Sequence, residues 1–121
     1  MKLENKLRTR KNQMTEALQI LGLARRAGAV APGTAATRRS ISQGEARLVL
    51  MAEDASLTQL DKIRRTIRKR IIPQVLLGDR TTLGAAIGRA PITAVAVTDA
   101  SLAGRLLESI DGEIMVDEGR D

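Results

Sequence analysis

Four short apolar runs alternate with amphipathic stretches along most of the chain, and this alternation constrains the fold more than any other feature. The runs are "AVAP", closed by Pro32, the segment Leu48 to Ala52 in "ARLVLMAED", "QVLLG" after Pro73, and "TAVAVTD". They are nearly continuous in small and β-branched residues, as strands covered on both faces are. The stretches between them repeat at the helical period. Met14 to about Ala27 aligns Met14, Ala17, Leu21 and Ala24, with Leu18 and Ile20 at the edges of that stripe, and Gly28 stops it. A second helix is expected from about Thr34 to Gln43, ended by Gly44. A third, from about Leu57 to Lys69, carries Leu60, Ile63 and Ile67 and has Ser56 as its N-cap. A short fourth begins near Asp79 or Thr81 and includes Leu83, Ala86 and Ile87. The last is capped by Thr98 or Asp99 and aligns Leu102, Leu106 and Ile110. The order α-β-α-β-α-β-α-β-α predicts an α/β sandwich whose sheet is covered on both faces. No internal repeat is visible.

The core of such a sandwich is aliphatic by necessity, because the 121 residues include no Phe, Tyr or Trp. That length fits one domain. The missing aromatics also exclude base stacking on aromatic platforms, leaving only Arg planes for that mode. Cys is absent, so there is no thiol nucleophile, disulfide or thiolate metal site. His is absent, which removes the ordinary general base near neutral pH and the usual zinc ligand. No enzyme, metal or cofactor is expected. No apolar run is long enough to cross a bilayer, and "MKLENKLRTRKNQ" lacks the apolar stretch of a secretory leader. The expected compartment is the cytoplasm.

Charge points to the partner. The formal net charge is +6, with 20 Lys+Arg against 14 Asp+Glu, so a polyanion is the leading partner class. Its distribution divides the chain into three. Residues 1–13 hold five cations against Glu4 and are expected to form a flexible basic arm, partly continuous with the first helix. Residues 14–110 form the domain. Residues 111–121 form an acidic tail with five carboxylates and one Arg. Within the domain the third helix is the densest, with "DKIRRTIRKR" carrying six cations and only Asp61. Lys62, Arg65 and Lys69 point away from its apolar stripe and Arg64, Arg68 and Arg70 flank it. That face contacts RNA or an acidic partner, or is simply a solvated amphipathic surface.

The stretch "APGTAATRRSISQG", residues 31–44, is more specific. Gly33 permits close backbone approach. The turn from Thr34 presents unpaired N–H groups at the positive end of a helix dipole. Thr37, Arg38 and Arg39 add a hydroxyl and two guanidiniums. A plain Gly-Thr helix start followed by two surface arginines fits the same residues.

Several landmarks recur in an order that resembles the kink-turn RNA-binding superfamily of ribosomal proteins, in particular its bacterial YlxQ-like branch. They are "LGLARRAG", the Gly that follows it, "LVLMAEDAS", the Pro before the third strand, "LGAAIG" and "AVAVTD", and together they span roughly residues 15–110. The resemblance implies a three-layer α/β/α sandwich with a mixed four-stranded sheet, and a monomer. It also implies an RNA site built on the motif Gly-x-Asn-Glu-x-x-Lys. Gly33 matches the Gly, Ala35 and Ala36 stand at the Asn and Glu positions, Arg39 stands at the Lys position, and Gly44 matches the Gly that ends the helix. Asp54 matches an acid that positions the Lys. Ala90 to Thr93, with Pro91 and Ile92 at their centre, match a loop that packs apolar side chains over a flipped-out nucleotide.

The family's Asn and Glu contact tandem sheared G·A pairs, and an Ala side chain offers no donor or acceptor. Each lost base-edge pair costs about 1–3 kcal/mol. The expectation is therefore a non-enzymatic RNA binder, led by phosphates, with weakened kink-turn reading. Its partners are structured RNA, ribosomal RNA foremost, and ribosomal proteins. The rival is a protein-interaction module of the same fold in which RNA reading has lapsed. Glu53 and Asp54 are adjacent acids that point apart on an extended strand end, and are expected as loop acids near Arg39.

Overall fold

The computed structural model describes residues 3–110 other than Lys69, and side chains from Asn12 onward. The elements in chain order are α1 (Leu3–Arg26), β1 (Val30–Pro32), α2 (Thr34–Ser42), β2 (Leu48–Met51), α3 (Leu57–Ile67), β3 (Gln74–Leu76), α4 (Arg80–Ala86), β4 (Ala94–Val97) and α5 (Ala100–Ser109). All nine follow the expected alternation. The exception in extent is α1, which starts at Leu3 rather than near Met14, so the segment expected as a flexible arm is helical along most of its length. Physically this is propagation. Leu3 to Gln13 contains no Gly or Pro, and extending an existing helix costs far less than starting one. The acidic tail lies outside the described residues.

The sheet order is β1-β4-β2-β3. β4 pairs antiparallel with both β1 and β2, and β2 pairs parallel with β3, so the sheet is mixed. Registers are set by Ala31 opposite Ala96, Val49 opposite Ala96, and Leu50 opposite Val75. The two central strands are the most buried, and every residue of Leu48–Met51 and Ala94–Val97 is inaccessible. α2 and α3 pack together on one side, and α1 packs with α4 and α5 on the other, giving three layers.

The core is wholly aliphatic. Leu21, Ile41, Leu48, Leu50, Met51, Ile63, Ile67, Leu83, Ile87 and Leu106 are its largest fully buried side chains. Ala17, Leu21 and Ala24 on α1 are buried as their spacing predicts, while Leu23, off the stripe, is exposed. Ala94 and Ala96 on the central strand, with Ala17, Ala24 and Ala103 on the flanking helices, let layers approach closely without aromatic filler.

Candidate nucleic-acid interface

Strand direction decides which loops meet. β1, β2 and β3 run one way and β4 the other. α2, α3 and α4 therefore all begin at one edge of the sheet, where the chain also turns into β4. Ligands of open α/β sheets are received at such carboxyl ends of strands. Backbone hydrogen bonds stitch this edge together. Gly33 N–H donates to Ala94 O at 2.8 Å, Ala52 N–H to Thr93 O at 2.8 Å, Glu53 N–H to Gly78 O at 2.8 Å, and Ile92 N–H to Arg80 O at 3.2 Å. Three segments distant in sequence, Gly33 to Arg39, Asp54 and Ala90 to Thr93, thus share one edge.

The helix starts at this edge are not alike. The Ser56 hydroxyl caps α3 by accepting from Gln59 N–H at 3.2 Å. The Asp79 carboxylate caps α4 by accepting from Thr82 N–H at 2.7 Å. α2 begins at Gly33 with no side-chain cap. Its first described helical bond runs from Thr37 N–H to Gly33 O at 2.9 Å, and the N–H groups of Thr34, Ala35 and Ala36 precede any intrahelical acceptor. They stand at the positive end of the helix dipole. Gly33 has φ 94 and ψ 162, a region that essentially only Gly occupies. A Cβ built on it meets nothing within 4 Å, so the space before the helix is open. Ala35 is exposed, and Thr34 and Ala36 are half-buried.

Arg38 and Arg39 are both exposed. Arg38 leans across to α3, where its Nε donates to Thr66 Oγ1 at 2.9 Å. Neither arginine is in an ion pair among the described residues. Pro91 is exposed, and Ile92 is half-buried against the core. That loop is pinned from beneath, because a Cβ at Gly84 would collide with the Ala90 carbonyl. On α3, Arg65 is exposed and Lys62 half-buried. Lys69 lies outside the described residues.

Two expectations change. Thr37 does not offer its hydroxyl to a ligand. It is fully buried, and its Oγ1 donates to Ala31 O at 3.2 Å, because its position on α2 faces the sheet. Asp54 is not a partner of Arg39. Its Oδ1 accepts from Arg80 N–H at 2.8 Å and lies 3.5 Å from Arg80 Nε. β3 lies next to β2, which brings the start of α4, not the side chain of Arg39, against the loop carrying Asp54. Arg80 is accordingly a cation at this edge that sequence reasoning missed. Only the strand order reveals it.

Electrostatics at the α4 start follow from its hydrogen bonds. Asp79 is held below the usual carboxylate value, chiefly by the Thr82 N–H, then by the Thr82 hydroxyl, with a small contribution from the Arg80 charge. Among the described residues no cluster of three or more His, Cys, Asp or Glu could hold a metal, and no helix is long and apolar enough to cross a membrane.

The sequence profile of the ribosomal protein L7Ae/L30e/S12e/Gadd45 family matches residues 15–106. The chain belongs to that family. It is 35% identical over 92 residues to the RNA-binding protein YlxQ of Bacillus subtilis (strain 168), an alignment covering 76% of this chain and 92% of that protein. Its fold is similar to a solved protein of unknown function from Bacillus halodurans C, with TM-score 0.74 and 30% identity over 79% of this chain and 97% of the other. It also resembles the Giardia lamblia 15.5kD RNA binding protein, with TM-score 0.64 over 81% and 90% of the two chains. At 18% identity that likeness concerns the fold alone. Family membership and the layered architecture agree with the three-layer sandwich implied by the sequence landmarks.

Proposed function

We propose that this protein is a non-enzymatic, ribosome-associated RNA-binding protein that grips structured RNA, ribosomal RNA foremost, at the start of α2. It acts as a cytoplasmic monomer. The observation that carries the proposal is the uncapped, open α2 N-terminus at an edge shared with the Pro91–Ile92 loop, in a chain related to an RNA-binding protein. The free N–H groups of Thr34, Ala35 and Ala36 receive phosphate oxygens, as helix N-termini do. Arg39 supplies charge beside them, and Arg38 does so from its perch on Thr66. Pro91 and Ile92 offer an apolar surface to an unstacked base.

Specificity comes from RNA shape more than from base edges. Ala35 and Ala36 occupy the positions that read tandem G·A pairs in the resembling family, and lack any polar group to do so. Two missing base-edge contacts reduce kink-turn preference by roughly 10²–10⁴-fold. Binding led by about five phosphate contacts gives a log-log salt slope near −4. Fluorescence anisotropy with a structured ribosomal RNA fragment across salt concentrations measures that slope. An affinity that stays flat from low to high salt overturns the proposal. Arg38→Glu with Arg39→Glu is expected to weaken binding about tenfold or more, against little change for Arg105→Glu on α5. Equal effects remove the α2 site.

A further inference from the structure

The seam between α2 and α3 carries cations in a row, and the row leads away from the α2 start. The two helices run side by side in the same direction. Arg38 on α2 reaches Thr66 on α3, and Ser42 on α2 is reached by Arg70, whose Nη2 donates to Ser42 O at 2.8 Å. Both links join residues separated by 28 positions, which fixes a common register. Lys62 stands one turn before Thr66, and the Thr66 hydroxyl donates to Lys62 O at 2.9 Å. Lys62 and Thr66, which seats Arg38, lie one turn apart on α3, roughly 6 Å. Arg70, just past the end of α3, meets α2 at Ser42, one turn beyond Arg38. Arg65, exposed, lies beside Lys62 on the outer surface of α3.

Among the described residues none of these cations is in an ion pair with a carboxylate; the ion pair is Arg80 with Asp54, at the α4 start. Arg38 and Arg70 are instead held by neutral oxygens, which fix their guanidiniums without consuming their charge. Protein partners of a basic face meet an apolar centre ringed by charge. This seam has none. Ile63 and Ile67 beneath it are fully buried, and the exposed apolar residues Leu57 and Ile71 lie beyond its two ends.

We infer that the α2–α3 seam is a second, sequence-independent site for the phosphate backbone of a double-helical RNA stem, continuing from the RNA element held at the α2 start. The inference rests on the RNA reading above. Charge complementarity and continuity with the α2 start favour RNA over an acidic protein. The stem is read by its backbone, as duplex RNA generally is.

The test crosses two RNAs with two variants. The RNAs are an uninterrupted two-turn RNA duplex and a stem of equal length interrupted by tandem G·A pairs and a bulge. The variants are Lys62→Glu with Arg65→Glu, at side chains with no hydrogen bond or ion pair to the described residues, and Arg39→Glu at the α2 start. Thermal melts confirm that each variant folds. The seam variant is expected to lose about tenfold in affinity for both RNAs and to flatten the salt slope by about 2. Arg39→Glu is expected to weaken binding of the interrupted stem more than that of the duplex, which stays within about threefold. Duplex affinity unchanged in the seam variant overturns the inference. So does a seam variant that binds RNA as the wild type does but loses binding to polyglutamate, which assigns the seam to an acidic protein. An Arg39→Glu variant that binds both RNAs as the wild type does overturns the α2 site instead and leaves the seam standing.

Discussion

α2 and α4 begin at the same edge of the same sheet, yet their starts are finished in opposite ways. At α4, Asp79 caps the first turn and Asp54 reaches over from the neighbouring loop to Arg80. Two carboxylates thus satisfy the backbone donors and offset the helix dipole. At α2, among the described residues, the first turn holds no acid and no side chain caps it. The glycines differ in the same sense. Gly84 is glycine because the Ala90 carbonyl leaves no room, whereas Gly33 is glycine because its backbone angles demand it while the space around it is empty. The protein completes the α4 start with its own side chains and leaves the α2 start without a side-chain cap.

That contrast can be sharpened by refilling the α2 start. Ala35→Asn with Ala36→Glu restores a donor and acceptors at an exposed and a half-exposed position, and is expected to raise kink-turn RNA affinity by about 10²-fold. Anisotropy with a kink-turn RNA and a matched duplex checks it, and no gain means the site has been repurposed rather than emptied. The two glycines give the next effects. Gly84→Ala forces a methyl against the Ala90 carbonyl and should cost about 2–3 kcal/mol in urea unfolding. Gly33→Ala meets no neighbour and costs only backbone strain, about 1–2 kcal/mol. The reverse ranking would mean that the open space before α2 is occupied.

The smallest expected effect concerns pH. Asp79 has a folded pKa below its unfolded value, so it contributes stability above the ordinary carboxylate range and loses it as pH falls through the folded pKa. Asp79→Asn keeps the cap but not the charge. Its stability deficit relative to the wild type should be present at neutral pH and vanish in acid. A deficit independent of pH would assign the effect to packing.

Much of the fold was legible because burial leaves a periodic trace. Leu48 to Met51 and Ala94 to Val97 read as buried strands, and Leu60, Ile63 and Ile67 as one helical stripe, because the sandwich covers those positions completely. Gly33 and the caps Ser56, Asp79 and Asp99 were legible because local backbone geometry selects those residue types. The start of α1 was not, since charged residues with good helix propensity read equally as arm or helix. Nor was the pairing of Asp54 with Arg80, which depends on β3 lying beside β2. Thr37 misled for a related reason. Its place on an otherwise polar turn suggested solvent, and only the angle of α2 to the sheet turns it inward toward Ala31.

The central claim is that RNA phosphates occupy the uncapped first turn of α2. Titrating isotopically labelled protein with a structured ribosomal RNA fragment, and following backbone amide shifts, tests it directly. The account predicts that Gly33, Thr34, Ala35 and Ala36 show the largest changes, which added salt reverses, while the capped start of α4 moves little. Saturable RNA binding with those four amides unmoved would contradict it.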